Sequence, residues 1–108
     1  MPAAQPTIDA REVDRVEALV TVPEDARIDD FLEFGVPGSS WQVQIRTASV
    51  PARLIARVPL GNFDERVCTC LRLRLDRAVP VEPGLRFKLH PAADPTLQVA
   101  AIVRPWRV

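Results

Sequence analysis

Residues 41–47, Trp41-Gln42-Val43-Gln44-Ile45-Arg46-Thr47, alternate apolar and polar side chains, so that Trp41, Val43 and Ile45 share one face and Gln42, Gln44 and Arg46 the other. A period of two predicts a strand with one buried side. The same alternation runs from Val67 to Leu75, with Val67, Leu71, Leu73 and Leu75 inward and Arg72 and Arg74 outward, and again from Leu85 to His90. Ala52 to Val58 and Leu97 to Arg104 alternate less strictly, but they are rich in β-branched and aliphatic residues and bounded by prolines. Most of the prolines, including Pro23, Pro51, Pro59, Pro80, Pro91 and Pro105, fall at or beside the ends of these runs, where a missing N–H costs little. Pro59-Leu60-Gly61-Asn62 and Val81-Glu82-Pro83-Gly84 read as turns.

The first third of the chain is ambiguous. Ile8, Val13, Val16 and Val20 fit the stripe of a helix opening at Thr7, whereas Val16, Ala18, Val20 and Val22 fit one face of a strand. Pro23 to Phe34, with its five acids and with Ile28, Phe31, Leu32 and Phe34, fits a short helical turn near residues 25–34 or a long hairpin loop. Six strands and little helix in a short chain predict an all-β fold: a small six-stranded antiparallel barrel, closed or nearly closed, because closure removes exposed edges. The expected organisation is a flexible N-terminal tail, residues 1–10, followed by a single barrel domain, residues 11–108.

At 108 residues the chain is one domain of modest core. It has no apolar run of membrane-spanning length and no secretory leader, which predicts a cytoplasmic protein with no membrane partner. Cys68 and Cys70 are too close in an extended strand for an unstrained bridge and are expected as free thiols. The formal net charge is zero, but it is unevenly distributed: residues 1–40 hold nine acids and three bases, and residues 41–108 five acids and eleven bases. Zero net charge removes the simplest argument for nucleic-acid binding.

Two stretches carry a family resemblance. Trp41 to Thr47, continued by Ala48-Ser49-Val50, resembles the aromatic-rich strand and Arg-Thr corner of the third, C-terminal β-barrel domain of elongation factor Tu. Ala78-Val79-Pro80-Val81-Glu82-Pro83-Gly84-Leu85-Arg86-Phe87-Lys88-Leu89 resembles that domain's penultimate strand, entered through Gly-Leu-Arg-Phe. The similarity spans residues 13–104, and it implies that Val13 to Val22 is the opening strand and that Leu97 to Arg104 closes the barrel. In the family this barrel packs on a second barrel and a GTPase domain and contacts an exchange factor and transfer RNA. The chain departs from the family in lacking any Gly-x-x-x-x-Gly-Lys-Ser/Thr phosphate loop, which excludes GTP hydrolysis by these residues. His90 to Pro95 stands where the family has a glycine-rich turn, and acidic Glu24 to Asp30 where it has a basic loop.

No constellation for catalysis emerges. Cys68, Cys70 and His90 fall short of a zinc set, His90 has no evident partner among Ser39, Ser40 and Ser49, and Asp29-Asp30 and Asp64-Glu65 read as solvated turns. The expectation is a non-enzymatic protein-interaction module without cofactor, metal or small-molecule substrate. Its partner would be another protein, of the translation-GTPase type that the resemblance implies, or a second copy. The alternative is an RNA-binding module of the transfer-RNA type with a basic strand face. The candidate partner-binding residues are Arg46, Thr47, Arg72, Arg74, Arg86, Lys88 and Trp106. In a barrel, outward bases such as these either converge into one patch or are neutralised by the acids of the first 40 residues.

Overall fold

The alternating segments pair antiparallel, one after another, until the last strand meets the first. The computed structural model describes residues 11–23, 28–63 and 66–104; the expected tail 1–10 and Trp106 lie outside them. The strands are β1 (Arg11–Pro23), β2 (Ser40–Ile45), β3 (Ala48–Phe63), β4 (Arg66–Val81), β5 (Arg86–Pro91) and β6 (Val99–Val103), and one helix, α1 (Ile28–Phe34), lies between β1 and β2. They form a closed barrel in the order β1-β4-β3-β2-β5-β6. The ambiguous first segment is a strand, with Val16, Ala18, Val20 and Val22 all buried on its inner face. Residues 28–34 take the helical alternative.

β3 and β4 are longer than their alternation suggests. Pro59-Leu60-Gly61-Asn62, expected as a turn, continues β3, and the connection to β4 comes only after Phe63. Two β-bulges, between Leu54 and Ala56 and between Pro59 and Gly61, interrupt the register with β4. Each bulge bends the strand and resets which face its residues occupy, which is why a strict period of two does not carry through to the hairpin end. Pro51, Pro59 and Pro80 all lie within strands, but each at a place where its strand is paired on one side only: the β3–β4 pairing begins at Ala52, the β2–β3 pairing ends at Arg53, and Pro80 pairs with β1 alone. A proline there interrupts no ladder on its open side.

Inside the barrel the inward residues of all six strands make one continuous core. One end of it is plugged by α1. The helix has acids in its first turn, Asp29 and Asp30, where they complement its dipole, and it sends Phe31 fully into the core against Trp41, edge to face, with ring centroids 6.1 Å apart. Burying a large aromatic contributes about 1.5–3 kcal/mol, and such a ring pair adds about 0.5–1.5 kcal/mol. The buried indole N–H of Trp41 donates to Ser39 Oγ at 2.9 Å, and the Ser39 hydroxyl donates in turn to the Val36 carbonyl at 2.7 Å. Two β3 arginines hold the loop after the helix: Arg57 Nε donates to the Gly35 carbonyl and Arg53 Nη1 to the Gly38 carbonyl. Replacing Phe31 with Ala should therefore lower unfolding free energy by about 3–5 kcal/mol, and replacing its exposed neighbour Leu32 by less than about 1 kcal/mol. Urea unfolding of the two variants measures the contrast, and equal small losses would mean that α1 is not part of the core.

Candidate functional site

The outer wall of β6 and its neighbours is where short and long side chains meet. Strand register sets two rows across it. In one, Arg86, Ile102, Leu19 and Cys70 stand side by side on β5, β6, β1 and β4; in the other, Gln44, Lys88 and Ala100 on β2, β5 and β6. Ala100 and Thr21 are small, while Arg86, Lys88 and Ile102 around them are long, so the wall is hollowed. The far end of β3 and the start of β4 close one side with Leu60 and Cys68. The result is a concavity of about 930 Å³, open to solvent, whose lining among the described residues includes Arg46, Arg86 and Lys88 but no carboxylate. Leu60 and Ile102, exposed at 42% and 38%, give it aliphatic surface.

The cationic rim is built in two ways. Arg86 and Lys88 are exposed on β5 and have no hydrogen-bond or ion-pair partner among the described residues. Arg46 is instead anchored. It is the first residue of the two-residue β2–β3 connection and takes φ 54°, a left-handed conformation that costs a non-glycine residue about 1–2 kcal/mol. Its guanidinium donates to the Pro80 carbonyl at 2.7 Å and to both carboxylate oxygens of Glu82, at 2.6 and 2.7 Å. With Nη1 on the Pro80 carbonyl and Nη2 on the Glu82 carboxylate, one guanidinium stitches the β2–β3 corner to the β4–β5 turn. Thr47, beside it in the corner, is exposed.

The sequence-predicted bases do not all meet. Arg72 and Arg74 lie on β4, three strands from β5 in either direction round the barrel, and neither lines the concavity. Arg72 pairs with Glu17 at 3.4 Å, which Arg104 also approaches at 3.7 Å, while Arg74 stands in register between Arg15 and Arg53. The cysteines differ from one another. Cys68 is half-buried at the concavity, and Cys70 is 1% exposed, with Arg104 Nη1 3.7 Å from its sulfur. Cys70 thus lies on the outward side of its strand, as alternation predicts, but is covered, and its nearest guanidinium belongs to Arg104, which the sequence did not connect to it.

His90 lies half-buried on β5 opposite Gln42 and has no hydrogen-bond partner among the described residues; Ser39 is engaged by Trp41 and Val36, and Ser49 accepts from Gln42 Nε2 at 2.7 Å. Among the described residues no group of three or more His, Cys, Asp or Glu is placed to hold a metal ion, and no helix is long and apolar enough to cross a membrane. Leu60, Ala100 and Ile102 escaped the sequence reading, because only the register shows that they share a hollow with Arg86 and Lys88. The site is that of a small closed antiparallel barrel with an external apolar concavity and a cationic rim. The chain matches no protein-family model and no curated protein.

Two measurements check this geometry. Arg46→Ala should destabilise the barrel by about 1 kcal/mol, and Arg46→Gly, which relieves the positive φ while losing the same contacts, should be closer to wild type in chemical denaturation. In the folded protein, a thiol-alkylating reagent should modify Cys68 and spare Cys70 until denaturant is added; mass spectrometry of the digested protein reads the two sites separately.

Proposed function

We propose that the chain is a non-enzymatic protein-interaction module, similar in kind to the C-terminal barrel of elongation factor Tu, which receives a polypeptide segment in the concavity on β6. The observation that carries this reading is the pairing of an exposed apolar floor with cations that have no internal partner. Exposed aliphatic side chains gathered in a hollow gain from being covered, and the unpaired Arg86 and Lys88 select for carboxylates at the edge of whatever covers them. The preferred ligand is therefore a segment that mixes acidic and aliphatic residues. The family resemblance supports the same reading, since the related barrel works by packing against other protein modules.

An RNA-binding role has less behind it. Arg72 and Arg74 stand on β4 outside the hollow, Arg46 and Arg72 are engaged by Glu82 and Glu17, and the hollow offers aliphatic surface where stacking on bases calls for aromatic rings. Selection from a displayed random-peptide library against the immobilised protein should enrich sequences with carboxylates beside Leu, Ile or Val. Filling the hollow with Ala100→Trp, at an exposed position, should weaken the selected peptides at least tenfold, whereas bulk transfer RNA should show no binding at physiological salt. Peptides that bind the Trp variant equally well, or RNA binding that falls steeply with salt and is lost in Arg86→Glu/Lys88→Glu, would overturn the reading.

A further inference from the structure

α1 has a second face. Phe31 and Phe34 turn toward the barrel, Phe31 fully buried and Phe34 partly, while Asp29, Leu32, Glu33 and, one turn on, Val36 are all exposed. Asp29, Leu32 and Glu33 are spaced i, i+3 and i+4, which puts them on one side of the helix, and exposed Val36 follows in the bend after it. Leu32 is 36% exposed and Val36 49%, and neither Asp29 nor Glu33 has an ion-pair partner among the described residues. The face is thus two carboxylates and two aliphatic side chains on a rigid support, since Phe31 pins the helix into the core and Arg57 and Arg53 tie down its exit.

That composition is the complement of the concavity, which offers aliphatic side chains rimmed by Arg86 and Lys88. Within one molecule none of Asp29, Leu32, Glu33 and Val36 lines the concavity. The concavity centres on β6, and the helix exit is fastened to β3, which stands three strands from β6 in both directions round the barrel; only the far end of β3, at Leu60, reaches the hollow.

We infer that the occupant of the concavity is α1 of a second copy of this chain, docked head to tail, with Leu32 and Val36 on the aliphatic floor and Asp29 and Glu33 against Arg86 and Lys88. This rests on the interaction-module reading above and names its partner. A short amphipathic helix in a groove is an established mode of recognition. Because the two surfaces are different parts of the molecule, the contact is heterologous, and each copy that docks leaves a free helix and a free hollow at the ends of the assembly. The chain therefore adds copies progressively with concentration and does not stop at a two-fold dimer. The zero net charge of the sequence gains a structural meaning: separated acidic and basic surfaces on one neutral molecule attract copies in series.

Sedimentation velocity of the full chain over a roughly hundredfold concentration range tests this, with circular dichroism confirming that each variant is folded. Wild type should show a sedimentation coefficient that rises with concentration and falls back when salt is raised. Arg86→Glu/Lys88→Glu and Asp29→Lys/Glu33→Lys should each weaken association at least tenfold, and Ala100→Trp should do so without any change of charge. Mixing the two charge-reversed proteins should restore association, because each helix then meets a hollow of opposite sign. A wild type that is monomeric throughout, variants that associate like wild type, or a mixture that stays monomeric would overturn the inference. If in those cases library peptides are still lost on Ala100→Trp, the interaction-module reading stands and only its partner is wrong; if both fail, the concavity is not a binding site.

Discussion

Closure of the barrel rests on a three-residue seam. Ala18, Leu19 and Val20 of β1 pair with Val103, Ile102 and Ala101 of β6, and the seam is prolonged by the Arg104 N–H donating to the Glu17 carbonyl at 2.8 Å. β6 is the shortest strand, yet without it β1 and β5 would each present an open edge and the core would lose one wall. The same seam creates the outer surface. It sets Ile102 beside Leu19 and carries Ala100 between Lys88 and Thr21, so the step that buries Val99, Ala101 and Val103 inside also assembles the hollow outside. Fold and site are two faces of one pairing.

The rest of the molecule adapts to that small closed ring. Six strands enclose too little space for a cavity, and the interior is filled by aliphatic side chains with α1 and Trp41 at one end. The longer strands β1, β3 and β4 accommodate the curvature through bulges, and these bring the far end of β3, with Leu60, alongside the hollow. Charge follows the same geometry. Where outward residues of adjacent strands lie in register, acids and bases pair, as Glu17 with Arg72; where the register offers no acid, Arg86 and Lys88 remain unpaired.

Much of the fold is legible along the chain because a half-buried strand must alternate. Trp41 to Ile45, Leu71 to Leu75 and Phe87 to Leu89 announce both their conformation and their inward residues, and the prolines mark where pairing is one-sided. Val16 to Val22 fits strand and helix patterns alike, and its conformation is decided by partners some fifty and eighty residues away, β4 and β6. The run from Pro59 to Asn62 has the composition of a turn and yet extends β3, because a bulge absorbs the glycine and an open edge tolerates the proline.

Alternation, composition and punctuation thus determined by themselves an all-β chain, its inner faces, its free thiols and its segregated charge, since all of these depend on local sequence. Which outward residues become neighbours was decided only by the tertiary structure. Arg46, Arg86 and Lys88 come together at one hollow that Arg72 and Arg74 do not line, and Ala100 becomes its floor, because strand order and register are set by the packing of the whole core and not by any segment within it.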